Sequence, residues 1–298
     1  MKKALVQLHL AVLLAGFTGI LGALISLNEI WLVWYRIAIT VVTLYLLHLW
    51  RPTQSLLSPK QRIRLLGIGV IIAIHWVFFY GSIKLSNVSV GLVCFASVGL
   101  FTSVTEPLLI RTRFSSREFC LGLISMAGIY IIFHFDNRYR TGILMGTVSS
   151  LLAAIFSALN KKYVEETPRR EMLFLEMIGG FAGVSLLLPI YLFFFPAKHA
   201  LPNMSDWGWL IILSWACTIL AFEFMLSSLR HISAFTQTLT LNLEPVYGII
   251  MAFLFFRENR LLPESFYLGC SLILISVGLQ MFWIYGKNKR DLPGIKTQ

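Results

Sequence analysis

Ten apolar stretches of about twenty residues, separated by short polar links, fill this 298-residue chain almost from end to end. Each is long enough to cross the ~30 Å hydrocarbon core of a bilayer as a helix rising ~1.5 Å per residue. The spans fall at 4–24, 31–50, 64–84, 88–110, 117–135, 141–160, 172–195, 207–228, 232–256 and 265–285. Mean hydropathy is +0.76 and 13% of residues are charged, about half the ~25% of soluble domains. The pattern predicts an all-α integral membrane protein. Its links have no room for an appended catalytic or ligand-binding module, so function has to sit among the helices.

The net charge of +11 does not point to nucleic acid, because the basic residues punctuate the links rather than form a stripe on one face. With the amino terminus cytoplasmic, eighteen of the 25 Lys and Arg residues fall on the cytoplasmic side, six fall opposite, and Arg36 lies inside a span. That bias predicts a multi-pass protein of a bacterial-type inner membrane with both termini cytoplasmic, and hence an even number of spans. Met1-Lys2-Lys3 before an apolar run imitates a secretory signal, but a run of about twenty residues exceeds the ~7–15 of a signal core, so it reads as the first span. Cys94, Cys120, Cys217 and Cys270 all fall inside spans without a Cys-x-x-Cys pair, so no disulfide framework, metal or cofactor is expected.

Sliding the chain along itself by 147 residues lays 87–122 over 234–269, pairing Leu92 with Leu239, Arg113 with Arg260, Phe119 with Phe266 and Leu121-Gly122 with Leu268-Gly269. The division is five spans plus five: a first repeat over 1–138, a second over 139–286 and a cytoplasmic tail over 287–298. Each half has an odd number of spans, so the copies enter the membrane from opposite sides as inverted repeats. Two such halves can exchange conformations and open a midplane site to one side and then the other.

The residues around these repeats carry a resemblance. Leu243-Glu244-Pro245-Val246-Tyr247, Phe255-Phe256-Arg257-Glu258, Leu268-Gly269 and Gly278 are similar to the carboxy-terminal half of an EamA domain, and Tyr35-Arg36 is similar to that family's aromatic-Arg position. With the ten-span, two-repeat layout, the chain resembles the drug/metabolite transporter superfamily over its whole length. The resemblance implies a carrier of small metabolites, often outward, and not an enzyme. In the first half, Ser97, Val98 and Arg111 face Glu244, Pro245 and Glu258, so the proline and the acidic turn are missing there.

An ionisable side chain at the helix centre costs ~2.5–3.5 kcal/mol on insertion scales, so each embedded one needs a reason. Glu244 lies deepest. Gln237, Thr240, Glu244 and Tyr247 share one helical face, which the spacing turns towards a cavity, and Pro245 frees a carbonyl one turn earlier. Arg36 heads a stripe with Thr40 and Thr43. Two readings are open for it: a cation for a substrate carboxylate or gate partner, and a snorkelling anchor beside Trp31 and Trp34. His75, Trp76 and Tyr80 bring polar aromatic groups to the third span, while Trp215 shares a face with Glu223. Glu106, Glu176 and Glu223 sit near the cytoplasmic surface and read as gating or ion-pair residues, Glu223 towards Arg230 or Arg111. The small residues of the sixth span, Gly146 to Ala158, predict close packing.

The expected function is outward transport of a small amphipathic metabolite, an amino acid or related compound, by alternating access, with a proton coupled through Glu244. The partners are that substrate and the lipid bilayer, with no nucleic acid, and the chain is a monomer or homodimer. An antiporter of phosphorylated or nucleotide-linked sugars is the alternative, though it would need more cations than Arg36 in the cavity. From another class, Glu165-Glu166 with Arg170, and Phe195 with His199, fit motifs of intramembrane proteases. A span separates the two sets, about 30 Å, which is too far to share one water.

Overall fold

The structure is a computed structural model, and it describes residues 2–50, 57–111, 113–135, 137–163, 167–197, 199–224 and 243–291. The described residues form helices α1 (Lys2–Leu24), α2 (Glu29–Trp50), α3 (Pro59–Leu85), α4 (Val88–Phe95), α5 (Val98–Ile110), α6 (Ser116–Phe135), α7 (Arg140–Tyr163), α8 (Arg169–Phe194), α9 (Met204–Ser214), α10 (Glu244–Phe256) and α11 (Glu264–Asp291). Seven segments among them are long and apolar enough to cross a membrane, taking α4 with α5 as one segment and α9 with its continuation to Phe224 as another. Large apolar side chains such as Trp50, Leu186 and Phe193 face outward, whereas Ser149, Ser150 and Arg36 are buried. That inversion suits lipid surroundings.

Local chemistry sets the helix ends. Ser58 and Gln61 form a capping box at the start of α3, with Pro59 in the first turn, and Asn203 and Asp206 form another at the start of α9. The predicted fourth span is two helices rather than one. The Ser97 hydroxyl donates to the Cys94 carbonyl at 2.7 Å, competing with the helix ladder, and the chain turns at Ala96–Ser97. Of the ninth span only the part from Leu243 lies within the described residues, where Pro245 occupies the first turn of α10.

The turn at Ala96–Ser97 reveals the repeat. α5 and α10 are both 13 residues long and both end in a left-handed arginine, Arg111 at φ 58° and Arg257 at φ 53°. These helices therefore correspond with a shift of 146 residues, one less than the apolar alignment. Val98, not Ser97, stands opposite Glu244.

Packing follows the same correspondence. α3 lies against α7 and α8, α2 against α8 and α9, α1 against α10, α5 against α7, and α6 against α11. Exchanging the halves converts the α1–α10 contact into α5–α7 and the α2–α9 contact into α8–α3, and leaves α2–α8 and α6–α11 as self-paired contacts. Glycines allow the closest approaches: Gly69 and Gly179 where α3 meets α8, Gly128 and Gly269 where α6 meets α11, and Gly16 and Gly248 where α1 meets α10.

Candidate functional site

Arg36 lies seven residues into α2, and its side chain runs inward rather than to the surface, with 3% of the residue exposed. Its Nε and Nη2 both donate to Thr218 Oγ1, at 3.1 and 3.0 Å, and its Nη1 donates to the Tyr80 hydroxyl at 2.6 Å. The guanidinium carbon sits 3.8 Å from the centre of the Trp76 ring, a cation–π contact. These bonds use three of five N–H groups and leave two without an acceptor among the described residues. Ion pairs such as Lys161–Glu106 and Arg170–Glu223 lie elsewhere. Arg36 is thus a buried cation with partial solvation and no counter-ion of its own among these residues.

Four helices build this cage. Thr40 and Ser214 hydroxyls donate to the Arg36 carbonyl at 2.8 and 3.1 Å, tying α2 to itself and to α9. After Ser214 the chain widens into a π-helical turn, Trp215–Leu220, and Thr218 bonds back to the Leu213 carbonyl at 3.0 Å. Thr218 lies one turn after Ser214, so both hydroxyls face Arg36 from the same side of this segment. The Tyr80 ring rests against Gly22 of α1, where a Cβ would come within 2.4 Å of it.

Of the residues singled out from sequence, the structure gathers Arg36, Thr40, Trp76 and Tyr80. His75 is adjacent but turned away, with Nδ1 2.8 Å from Ser149 Oγ and 2.9 Å from the Ser149 carbonyl, among Phe79, Phe95 and Phe156. Trp215 is half-exposed and donates from Nε1 to Thr43 at 3.0 Å. Thr218 was missed from sequence; the available signal was a hydroxyl three residues after Trp215 and one helical turn after Ser214, on the same face.

Glu244 forms a separate place. With Pro245 it lines a cavity of ≈ 50 Å³ at the α4–α5 turn, together with Phe95, Gly99, Ser125 and Ser276. That volume holds a few waters at ~10–15 Å³ each. No hydrogen bond or ion pair joins it to the Arg36 cage among the described residues. Tyr247 bonds to His9 Nδ1 of α1 at 3.0 Å, and Gln237 and Thr240 lie outside the described residues.

The acidic residues near the other end divide. Glu106 pairs with Lys161, and Glu223 with Arg170 at 3.0 Å rather than with Arg111; Arg230 lies outside the described residues. Both pairs are partly exposed, so each adds little stability. Glu176 is buried beside Asn160. Glu165 and Glu166 lie outside the described residues, and His199 bonds to Ser26 at 3.2 Å.

Comparison with known proteins agrees with this architecture. A solved chain described as "Crystal structure of protein" superposes with a TM-score of 0.63 over 95% of this chain and 98% of its own length, at 16% identity, a likeness of fold. Among curated proteins none matches. The profile of the EamA-like transporter family matches twice, over residues 2–134 and 140–282. With both halves accounted for in this way, the chain is a multi-pass membrane protein that belongs to the EamA-like transporter family.

Proposed function

We propose that this transporter exports a small amphipathic metabolite bearing a carboxylate, an amino acid or related compound, by alternating access between two inverted five-helix repeats. The observation that carries the reading is the buried Arg36, with two free N–H groups and no acid among the described residues to neutralise it. A buried cation with spare N–H donors gains most from a charged, bidentate acceptor, which favours binding a carboxylate. Trp76 beside it offers an apolar face to the rest of the substrate. The exchange of helix contacts between halves supports the inverted arrangement, and the bias of basic residues supports an inner-membrane location with both termini cytoplasmic. A phosphorylated or nucleotide-linked sugar would call for a second cation; Thr40, Trp76, Tyr80, Ser214 and Thr218 supply none.

Release of metabolites from cells overproducing the protein, screened across amino acids and their toxic analogues, tests the substrate class. Carboxylate-bearing amphipathic compounds are expected among the released or resisted set. Release confined to cations or neutral sugars would sink the reading.

Proton coupling is assigned to Glu244, whose cavity has room for water and lies apart from the Arg36 cage. Glu244→Gln is expected to abolish pH-driven flux in proteoliposomes while counterflow of substrate persists. Unaltered pH dependence in that variant would remove Glu244 from the coupling.

A further inference from the structure

At the end of the bundle where α1 finishes, two carboxylates of the second half reach across to backbone of the first. Glu258, in the turn after α10, is 4% exposed, and its two oxygens accept from the N–H groups of Val88 at 3.0 Å and Ser89 at 2.8 Å, in the first turn of α4. Those are donors that α4 cannot satisfy within itself, and its dipole favours the charge. Asp206, in the first turn of α9, is 1% exposed and accepts from the Ser26 N–H at 2.7 Å and the Ser26 hydroxyl at 2.6 Å, in the α1–α2 link. Lys84 Nζ donates to the neighbouring Ile25 carbonyl at 2.8 Å, and Tyr191 to Glu29.

The opposite end carries the repeat-related positions, and neither is acidic. α3 and α9 each begin with a capping box, so Gln61 stands where Asp206 does, and among the described residues the Gln61 carboxamide bonds within its own box, to Ser58. α5 and α10 each end in a left-handed arginine, so Thr112 follows Arg111 where Glu258 follows Arg257. Charge-assisted bonds are roughly twice as strong as neutral ones. At the capping-box position, then, a charged bond joins the two halves at the Asp206 end, whereas its counterpart Gln61 makes a neutral bond to Ser58 of its own turn.

We propose that Asp206 and Glu258 form a paired latch that keeps this end closed over Arg36 and has to release both helix starts, α9 and α4, before the site opens there. α9 runs on into the π turn that carries Thr218, so freeing its first turn from Ser26 also frees a wall of the Arg36 cage. The proposal rests on Arg36 marking the transport site, but its test needs no substrate.

Cys217 precedes Thr218 and is 7% exposed. In a chain keeping it as the sole cysteine, its reaction with a membrane-impermeant maleimide, applied to whole cells and to inverted vesicles, reads opening at either end. Asp206→Asn with Glu258→Gln together is expected to speed labelling from the latch side about tenfold, each single change less, and the opposite side not at all. Glu264→Gln, an exposed carboxylate a few residues on, is the control expected to leave the rate unchanged. If the double variant does not fold, Ser26→Ala removes one donor, keeps both acids, and is expected to raise the rate about threefold. Unchanged labelling in whichever variant is folded overturns the latch, as does an equal rise from both sides. A chain that shows the one-sided rise but releases no carboxylate compound overturns the substrate reading and leaves the latch standing.

Discussion

Arg36→Ala is expected to lower transport efficiency, kcat/KM, by about 100-fold or more, because truncating one partner of a desolvated charge pair costs ~2–5 kcal/mol and each 1.4 kcal/mol is tenfold. The missing partner here is the substrate's own carboxylate. Arg36→Lys keeps the charge but has no planar fork to bond Thr218 through two nitrogens or to lie flat 3.8 Å from Trp76. It is expected to fall between alanine and the parent. The measurement is uptake into proteoliposomes against substrate concentration, with melting temperature recorded alongside. A snorkelling anchor, the other role the sequence left open, would leave kcat/KM within a factor of two in Arg36→Ala, and that result would remove Arg36 from the site.

Gly69→Ala and Gly179→Ala are expected to destabilise the fold by at least ~2–3 kcal/mol each, since overpacking of a tight contact costs in that range even where neighbours can adjust. Here they cannot adjust cheaply. A Cβ at Gly69 would stand 1.8 Å from the Glu176 carbonyl oxygen and one at Gly179 would stand 2.1 Å from that of Leu66, so α3 and α8 would have to separate as rigid helices. Gly67→Ala and Gly208→Ala meet no atom within 4 Å and are expected to be neutral or stabilising by up to ~1 kcal/mol, as alanine is the better helix former. Melting temperatures of the four purified variants in one detergent decide the matter, with a drop of roughly 5–10 °C expected for the first two. A drop of similar size for Gly67→Ala would mean that helix propensity or detergent, not the α3–α8 contact, governs stability.

The two results bear on different kinds of information. Glycines at 69 and 179 are visible in the sequence, but so are Gly67 and Gly208, and nothing in the pattern separates a glycine that touches a neighbouring carbonyl from one that touches nothing. Arg36, Trp76 and Tyr80 could each be picked out as polar or aromatic groups out of place in lipid. That they stack and bond as one cage depends on how α2 and α3 are rotated against each other. Thr218 shows the same limit, since its hydroxyl is visible in the sequence but nothing in the pattern sets it against Arg36 rather than another helix.

Links were the least legible. Asp206 and Glu258 sit at helix boundaries, where a charged residue ordinarily faces water, yet both are almost wholly buried against the other half, Asp206 on Ser26 of the α1–α2 link and Glu258 on the first N–H groups of α4. The break at Ala96–Ser97 was hidden for a related reason: hydropathy records that a run is apolar, not that a serine has diverted its backbone bonds.

Hydropathy, charge placement and the repeated motifs were enough to specify a two-repeat helical membrane transporter, because transfer into lipid is an additive property of each segment and is written residue by residue. Which buried polar groups meet was settled by helix rotation and crossing. Those depend on contacts between residues far apart in the chain; among the described residues they gather Arg36 with Trp76, Tyr80 and Thr218, and set Glu244 beside the α4–α5 turn.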